Sequence, residues 1–193
     1  IIMGIQGNIG VAAYGVIANL SLVVMAIYTG IAQGIQPLVS RNHGFKKYAN
    51  IQSVMRYALI TMLIFSAIIY SVVFFATSQI VNIFNSEHND MLQNIAIQGL
   101  RLYFIACPFA GFNIIISVYF TSTEHPRPAH LISILRGFII IIPMAFLLSF
   151  IAKLFGVWCA FPVTELIVAT IGMIFYIIAK NKQKNIINNT DMI

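Results

Sequence analysis

Residues 51–77 read IQSVMRYALITMLIFSAIIYSVVFFAT, 27 positions with one charge, Arg56, and neither glycine nor proline. A helix needs about 20 apolar residues to cross the hydrocarbon of a bilayer. In lipid its backbone groups must be satisfied within the segment itself, so this stretch predicts a membrane-spanning helix. Working outward, four more stretches meet the same requirement: 11–38, 95–121, 131–151 and 158–179. Pro37 ends the first, Pro126 and Pro128 stand between the third and fourth, and Pro143 falls within the fourth. Only a short segment around Lys153 separates the fourth from the fifth. The expected fold class is therefore an all-α integral membrane protein, a polytopic helical bundle of five spans.

The whole chain agrees with that window. Of its 193 residues 60% are hydrophobic and 8% charged, against about a quarter charged in a soluble domain. That excludes disorder, a secreted disulfide scaffold and a nucleic-acid module. The net charge of +6 comes from basic residues scattered between apolar runs, so it orients the protein rather than recruiting a polyanion. One set of loops holds Arg41, Lys46, Lys47, Arg127, Lys180, Lys182 and Lys184, and the other only Lys153 beside Glu87 and Asp90. The positive-inside rule places the first set, with the tail 180–193, in the cytoplasm. The chain opens Ile1-Ile2-Met3-Gly4 without a leader pattern and reads as the middle of a longer protein.

Polar side chains within spans carry most of the functional information, because they are costly in hydrocarbon. At about 100° per residue, Tyr14, Ser21, Tyr28, Thr29, Ala32 and Gln36 share one arc of the first helix, and Gly30 and Gly34 lie opposite. Two readings stand for the polar arc: it lines an aqueous substrate cavity, or it hydrogen-bonds across a helix interface. Gly30 and Gly34 form a G-x-x-x-G, expected to admit a closely packed neighbour. Arg101 and Glu165 enter from the same side and sit about 10 Å below the outer boundary. Matched depth admits an ion pair. A proton or cation site at Glu165 and a capping role beside Pro162 are the alternatives. Arg56 can snorkel to the cytoplasmic surface. Arg136 shares a face with Pro143, which suggests a hinge or gate. Cys107 and Cys159 stand alone in apolar runs, and no H-E-x-x-H, Cys/His cluster or G-x-S-x-G occurs, so neither a metal site nor an enzyme is expected.

Val11-Ala12-Ala13-Tyr14-Gly15-Val16-Ile17-Ala18-Asn19, followed by Gly30-Ile31-Ala32-Gln33-Gly34-Ile35-Gln36-Pro37 and Asn42-His43-Gly44, resembles the multidrug and toxic compound extrusion (MATE) family. There a G-x-x-Q-x-x-x-P run ending in an N-x-G turn closes an early helix of each six-helix lobe. Gly156-Val157-Trp158 with Pro162 and Glu165 is similar to the family's last-helix signature, and Ser133 to Pro143, with Arg136 and Gly137, to the preceding helix. The resemblance implies two bundles in a V around a central cavity, of which residues 1–193 are a partial C-terminal lobe. It also implies a bacterial cytoplasmic-membrane antiporter, exchanging protons or sodium ions for cationic amphipathic compounds. Its partners would be those small molecules, the bilayer and the missing N-terminal lobe of the same chain, with no nucleic acid and no cofactor beyond the coupling ion. Tyr14, Ser21, Tyr28, Gln36 and Asn113 are the candidate cavity residues, Arg101 and Glu165 the candidate ion pair or coupling site, and Pro37, Arg136 and Pro143 the candidate hinges. The helix matching 95–121 has no carboxylate, only Asn113 and Arg101, which points to a coupling carboxylate in the missing lobe. Two other functions fit the architecture: a flippase for lipid-linked sugars, which needs a cationic cavity, and a non-transporting assembly subunit.

Overall fold

A computed structural model describes the backbone of residues 1–190 and the side chains as far as Lys182. Lys184 and the rest of the expected tail lie outside the described side chains. The described residues form helices and turns with no strand: α1 (Ile2–Gly44), α2 (Tyr48–Phe84), α3 (Asp90–Tyr103), α4 (Cys107–Ser122), α5 (Pro126–Ile134) and α6 (Ile141–Thr190). Four runs are long and apolar enough to cross a membrane: Ile2–Gly44, Tyr48–Phe84, Asp90–Ser122 and Pro126–Lys182.

The count differs from the five spans expected because 131–151 and 158–179 belong to one helical run. It is not straight. Ala152 and Lys153 leave helical geometry, Lys153 at φ 49°, and Gly156 comes so close to the backbone of Leu148 that a Cβ there would overlap its carbonyl. Eight residues of straight helix would hold them about 12 Å apart. The run therefore doubles back at Lys153, and the segments either side of it pack as a hairpin.

Proline accounts for the other irregularities. Asn89 caps α3, its Oδ1 accepting from the Leu92 N–H at 3.1 Å. The third run then tightens into a 3₁₀ turn, Phe104–Ala106, before Pro108 in the first turn of α4, where a missing N–H costs nothing. Pro126 and Pro128 likewise open α5. Pro143 cannot donate to the carbonyl of Ile139 and its ring crowds that oxygen. The turn ahead of it, Leu135–Ile139, widens to π geometry, with Ile140 N–H bonding Leu135 O at 2.9 Å. Pro37 is carried inside α1, which runs on to Gly44. The following turn is tied by Asn42, whose Nδ2 donates to Leu38 O at 2.8 Å and whose Oδ1 accepts from Asn50 Nδ2 at 3.1 Å.

Helix α4 lies at the centre, packed against α1, α2, α5 and α6. Around it Tyr28, Met55, Phe104, Tyr119, Ile132 and Trp158 are fully buried. The open faces of α1 and α2 differ in kind. That of α2 is Tyr57, Ile60, Ile64, Ile68, Val72 and Phe75, as for a surface against lipid. That of α1 is mixed: Asn19, Ala26, Thr29, Gly30, Gln33 and Gly34 are exposed together with Leu22 and Val23. Among the described residues no neighbour packs on the G-x-x-x-G: nothing lies within 4 Å of a Cβ built on Gly30 or Gly34. Tyr28 and Ala32, from the expected cavity arc, face the core instead. The reason is that Ile17, Val24 and Ile35 form an apolar stripe along the edge of that arc, with Val39 inside it, and burying the stripe draws in Tyr28 and Ala32 while Tyr14, Thr29 and Gln36 stay exposed.

Candidate functional site

The centre of the bundle holds one carboxylate. Glu165 is 1% exposed and accepts three side-chain hydrogen bonds. Its Oε1 receives Arg136 Nε at 3.0 Å and Nη2 at 2.7 Å, and its Oε2 receives Asn113 Nδ2 at 2.7 Å. The same Asn113 amide also reaches the main-chain carbonyl of Glu165 at 3.0 Å, which fixes the α4 helix to the second arm of the hairpin. Arg136 comes from the π turn ahead of Pro143, so the widened turn sets the azimuth from which its guanidinium meets Glu165 across the hairpin. Its side chain keeps 22% exposure, which makes it the wet side of an otherwise dry pair. A buried charge stands only where partners meet it, and here three donors do.

The expected pair of Glu165 with Arg101 does not form. Arg101 turns outward onto α2: Nε meets Thr77 Oγ1 and Nη2 meets Phe74 O, both at 3.4 Å, with the guanidinium carbon 5.0 Å above the Phe74 ring. Its neighbours Gly99 and Leu100 take the inward positions on α3, so an arginine one residue further on points away.

The other candidate residues scatter. Tyr28 is buried and bonds Ser66 Oγ at 2.8 Å. Because Ser66 spends its one proton on Met62 O, the tyrosine hydroxyl is the donor. Ser21 is half-buried and donates to Ala18 O at 2.8 Å. Gln36, Pro37 and Pro143 are exposed. Tyr14 stacks on Trp158, rings 6.2 Å apart and inclined 14°. Beside it Tyr103 stacks on Phe161 at 4.4 Å and 7°. These rings border a cavity of about 510 Å³ lined by Tyr14, Tyr103, Val157, Ala160, Phe161 and Ile141. Of its aromatic residues the sequence reading named only Tyr14 as a cavity residue. Tyr103 and Phe161 were unmarked because each is one aromatic in an apolar span, and only the fold brings them face to face. Among the described residues no group of three His, Cys, Asp or Glu could hold a metal ion.

Fold and site define the class: a helical membrane bundle with apolar outer faces, a mixed open face on α1, and a buried carboxylate paired with an arginine within the bundle. The family model for MatE matches residues 1–147, and the chain belongs to the MatE family. Among curated relatives it is 23% identical to the multidrug export protein MepA of Staphylococcus saprophyticus, over 91% of this chain and 38% of that protein. It is 22% identical to an FAD transporter of Shewanella oneidensis, over 88% of this chain and 36% of that one. The chain thus spans well under half the length of these relatives. Its fold matches an inward-facing MATE transporter structure at TM-score 0.88 and 16% identity, covering 95% of this chain and 42% of that one. An outward-facing MATE structure matches at 0.87 and 14%, covering 95% and 41%.

Proposed function

We propose that the chain is the partial C-terminal lobe of a secondary multidrug antiporter in a bacterial cytoplasmic membrane. It exports cationic amphipathic compounds in exchange for protons or sodium ions, by rocking of two lobes about a midplane cavity. The observation that carries the substrate class is the aromatic cavity of Tyr14, Tyr103 and Phe161. Its π faces attract organic cations and its apolar walls take up hydrophobic bodies. The name of the MepA relative, a multidrug export protein, supports the same class. The open face of α1, where Gly30 and Gly34 leave room for a neighbour, meets the missing N-terminal lobe and the cavity between the lobes, while Pro37 and the π turn before Pro143 are where bending is cheapest. The basic turn at 41–47 and the C-terminus face the cytoplasm. A flippase for lipid-linked sugars finds less support, because it would need free cations at the cavity. Arg136 is neutralised by Glu165 and Arg101 lies on the outer surface against α2.

The test is efflux of a cationic dye from cells or proteoliposomes carrying the full-length protein. Dissipating the proton or the sodium gradient separately identifies the coupling ion. Tyr103→Ala and Phe161→Ala should weaken export of aromatic cations at unchanged expression. Absence of dye export under either gradient overturns the proposal. Impermeant thiol reagents added outside should fail to label single cysteines at Phe45 or Gln183; labelling there reverses the orientation.

A further inference from the structure

The basic end of the lobe carries a second feature that drug export does not use. Between the first turns of α2 and the distal part of α6 lies a groove of about 580 Å³, lined at its mouth by Gln52, Ser53, Arg56, Tyr176 and Lys180. Its floor is Leu59, Ile60 and Leu63. Leu63 also begins a second groove of about 540 Å³ along the same helix, walled by Ala67, Tyr70, Phe104, Ile105 and Pro108. A cationic, hydrogen-bonding mouth therefore opens into an apolar trough. From Arg56 to Tyr70 the trough follows 14 residues of α2, about 21 Å at helical rise. One leaflet of hydrocarbon is about 15 Å deep, so the combined groove is long enough for an acyl chain.

Among the described residues the charges at the mouth have no ion-pair partner. No acidic residue lines either groove, and the ion pair found among the described residues joins Arg136 to Glu165, away from this face. The planar guanidinium of Arg56 suits two oxygens of a phosphate, and Lys180 supplies a second point charge. From Tyr57 to Phe75 the open face of α2 is mostly apolar, with Ile60, Leu63, Ile64, Ile68 and Val72 exposed, which is the setting of a lipid-facing surface.

We propose that this composite groove binds one anionic phospholipid, its phosphate between Arg56 and Lys180 and an acyl chain along Leu63 to Tyr70. Basic pockets between membrane helices bind anionic headgroups in this way. The site does not depend on what the protein transports.

The experiment is native mass spectrometry of the full-length protein, released from nanodiscs of phosphatidylglycerol and phosphatidylcholine in equal parts. Wild type should retain phosphatidylglycerol in preference to phosphatidylcholine. Arg56→Ala and Lys180→Ala should each lower that preference on the order of fivefold, and together more. Arg56→Lys should keep most of it. Leu63→Trp, which fills the trough without touching charge, should lower retention of phosphatidylglycerol while thermal stability in detergent holds. Equal retention of the two lipids, or unchanged retention in the double variant, overturns the proposal. Displacement of phosphatidylglycerol by millimolar inorganic phosphate overturns it too, since that assigns a headgroup site without a chain. Dye efflux, measured alongside, reports separately on transport.

Discussion

Arg101 and Arg136 are single arginines in otherwise apolar helical runs, and both reach a hydrogen-bonding partner on another segment. They end in opposite environments. Arg136 reaches across a hairpin to a carboxylate that is 1% exposed, in a region where water screens little. Arg101 lies along α2, over an aromatic ring and beside a carbonyl, in an exposed position. Glu165 is the shared member: removing it strips a partner from both Arg136 and Asn113, and removing either of them leaves its carboxylate short of a donor. The contacts of Arg101 are long and replaceable. Equal charge thus carries very different energetic weight, and the weight follows from the partner each side chain reaches.

That contrast can be broken from its strong side first. Glu165→Ala leaves Arg136 facing a partly dry interior without a counter-charge and should cost about 3–5 kcal/mol, read as a large drop in melting temperature in detergent. Reversing both partners, Glu165→Arg with Arg136→Glu, should recover part of the loss, whereas Glu165→Arg with Arg101→Glu should recover none. Recovery by the Arg101 swap would refute the geometry described here. Next, Asn113→Leu removes the donor to Oε2 but keeps the ion pair, and should cost about 1–3 kcal/mol in the same assay. Tyr28→Phe deletes one buried donor whose acceptor, Ser66, remains bonded elsewhere through its own proton. It should cost about 1 kcal/mol. Smallest of all, Arg101→Ala should cost under about 1 kcal/mol. A cost for Arg101→Ala equal to that of Glu165→Ala would erase the distinction between the two arginines.

Much of the architecture was legible in the chain. The apolar windows located every long helical run, and the motifs 30–37, 42–44 and 156–165 placed the chain in its family before any coordinate. The misses share one cause. Five spans are expected where four long helical runs exist, because the last run, Pro126–Lys182, doubles back at Lys153 and holds two of the expected stretches in one hairpin. The polar arc of α1 admits a cavity or a hydrogen-bonded interface, and Tyr28 takes the interface, bonding Ser66 on α2, because the apolar stripe of Ile17, Val24 and Ile35 runs along its side of the arc. Trp158 stood in a motif, yet its stack with Tyr14 could not be read from spacing.

Sequence by itself determined that this protein lives in a bilayer, where its helices run and which residues are too polar to sit there without partners. Hydropathy and helical rise are properties of consecutive residues, so they sum along the chain and need no knowledge of neighbours. Only the tertiary structure decided which arginine meets Glu165, which face of α1 is buried and which aromatics close a cavity. Those are relations between helices, set by rotation about each axis. Rotation is settled by the packing of whole faces, and a change of 100°, one residue, separates the buried pair from the exposed surface.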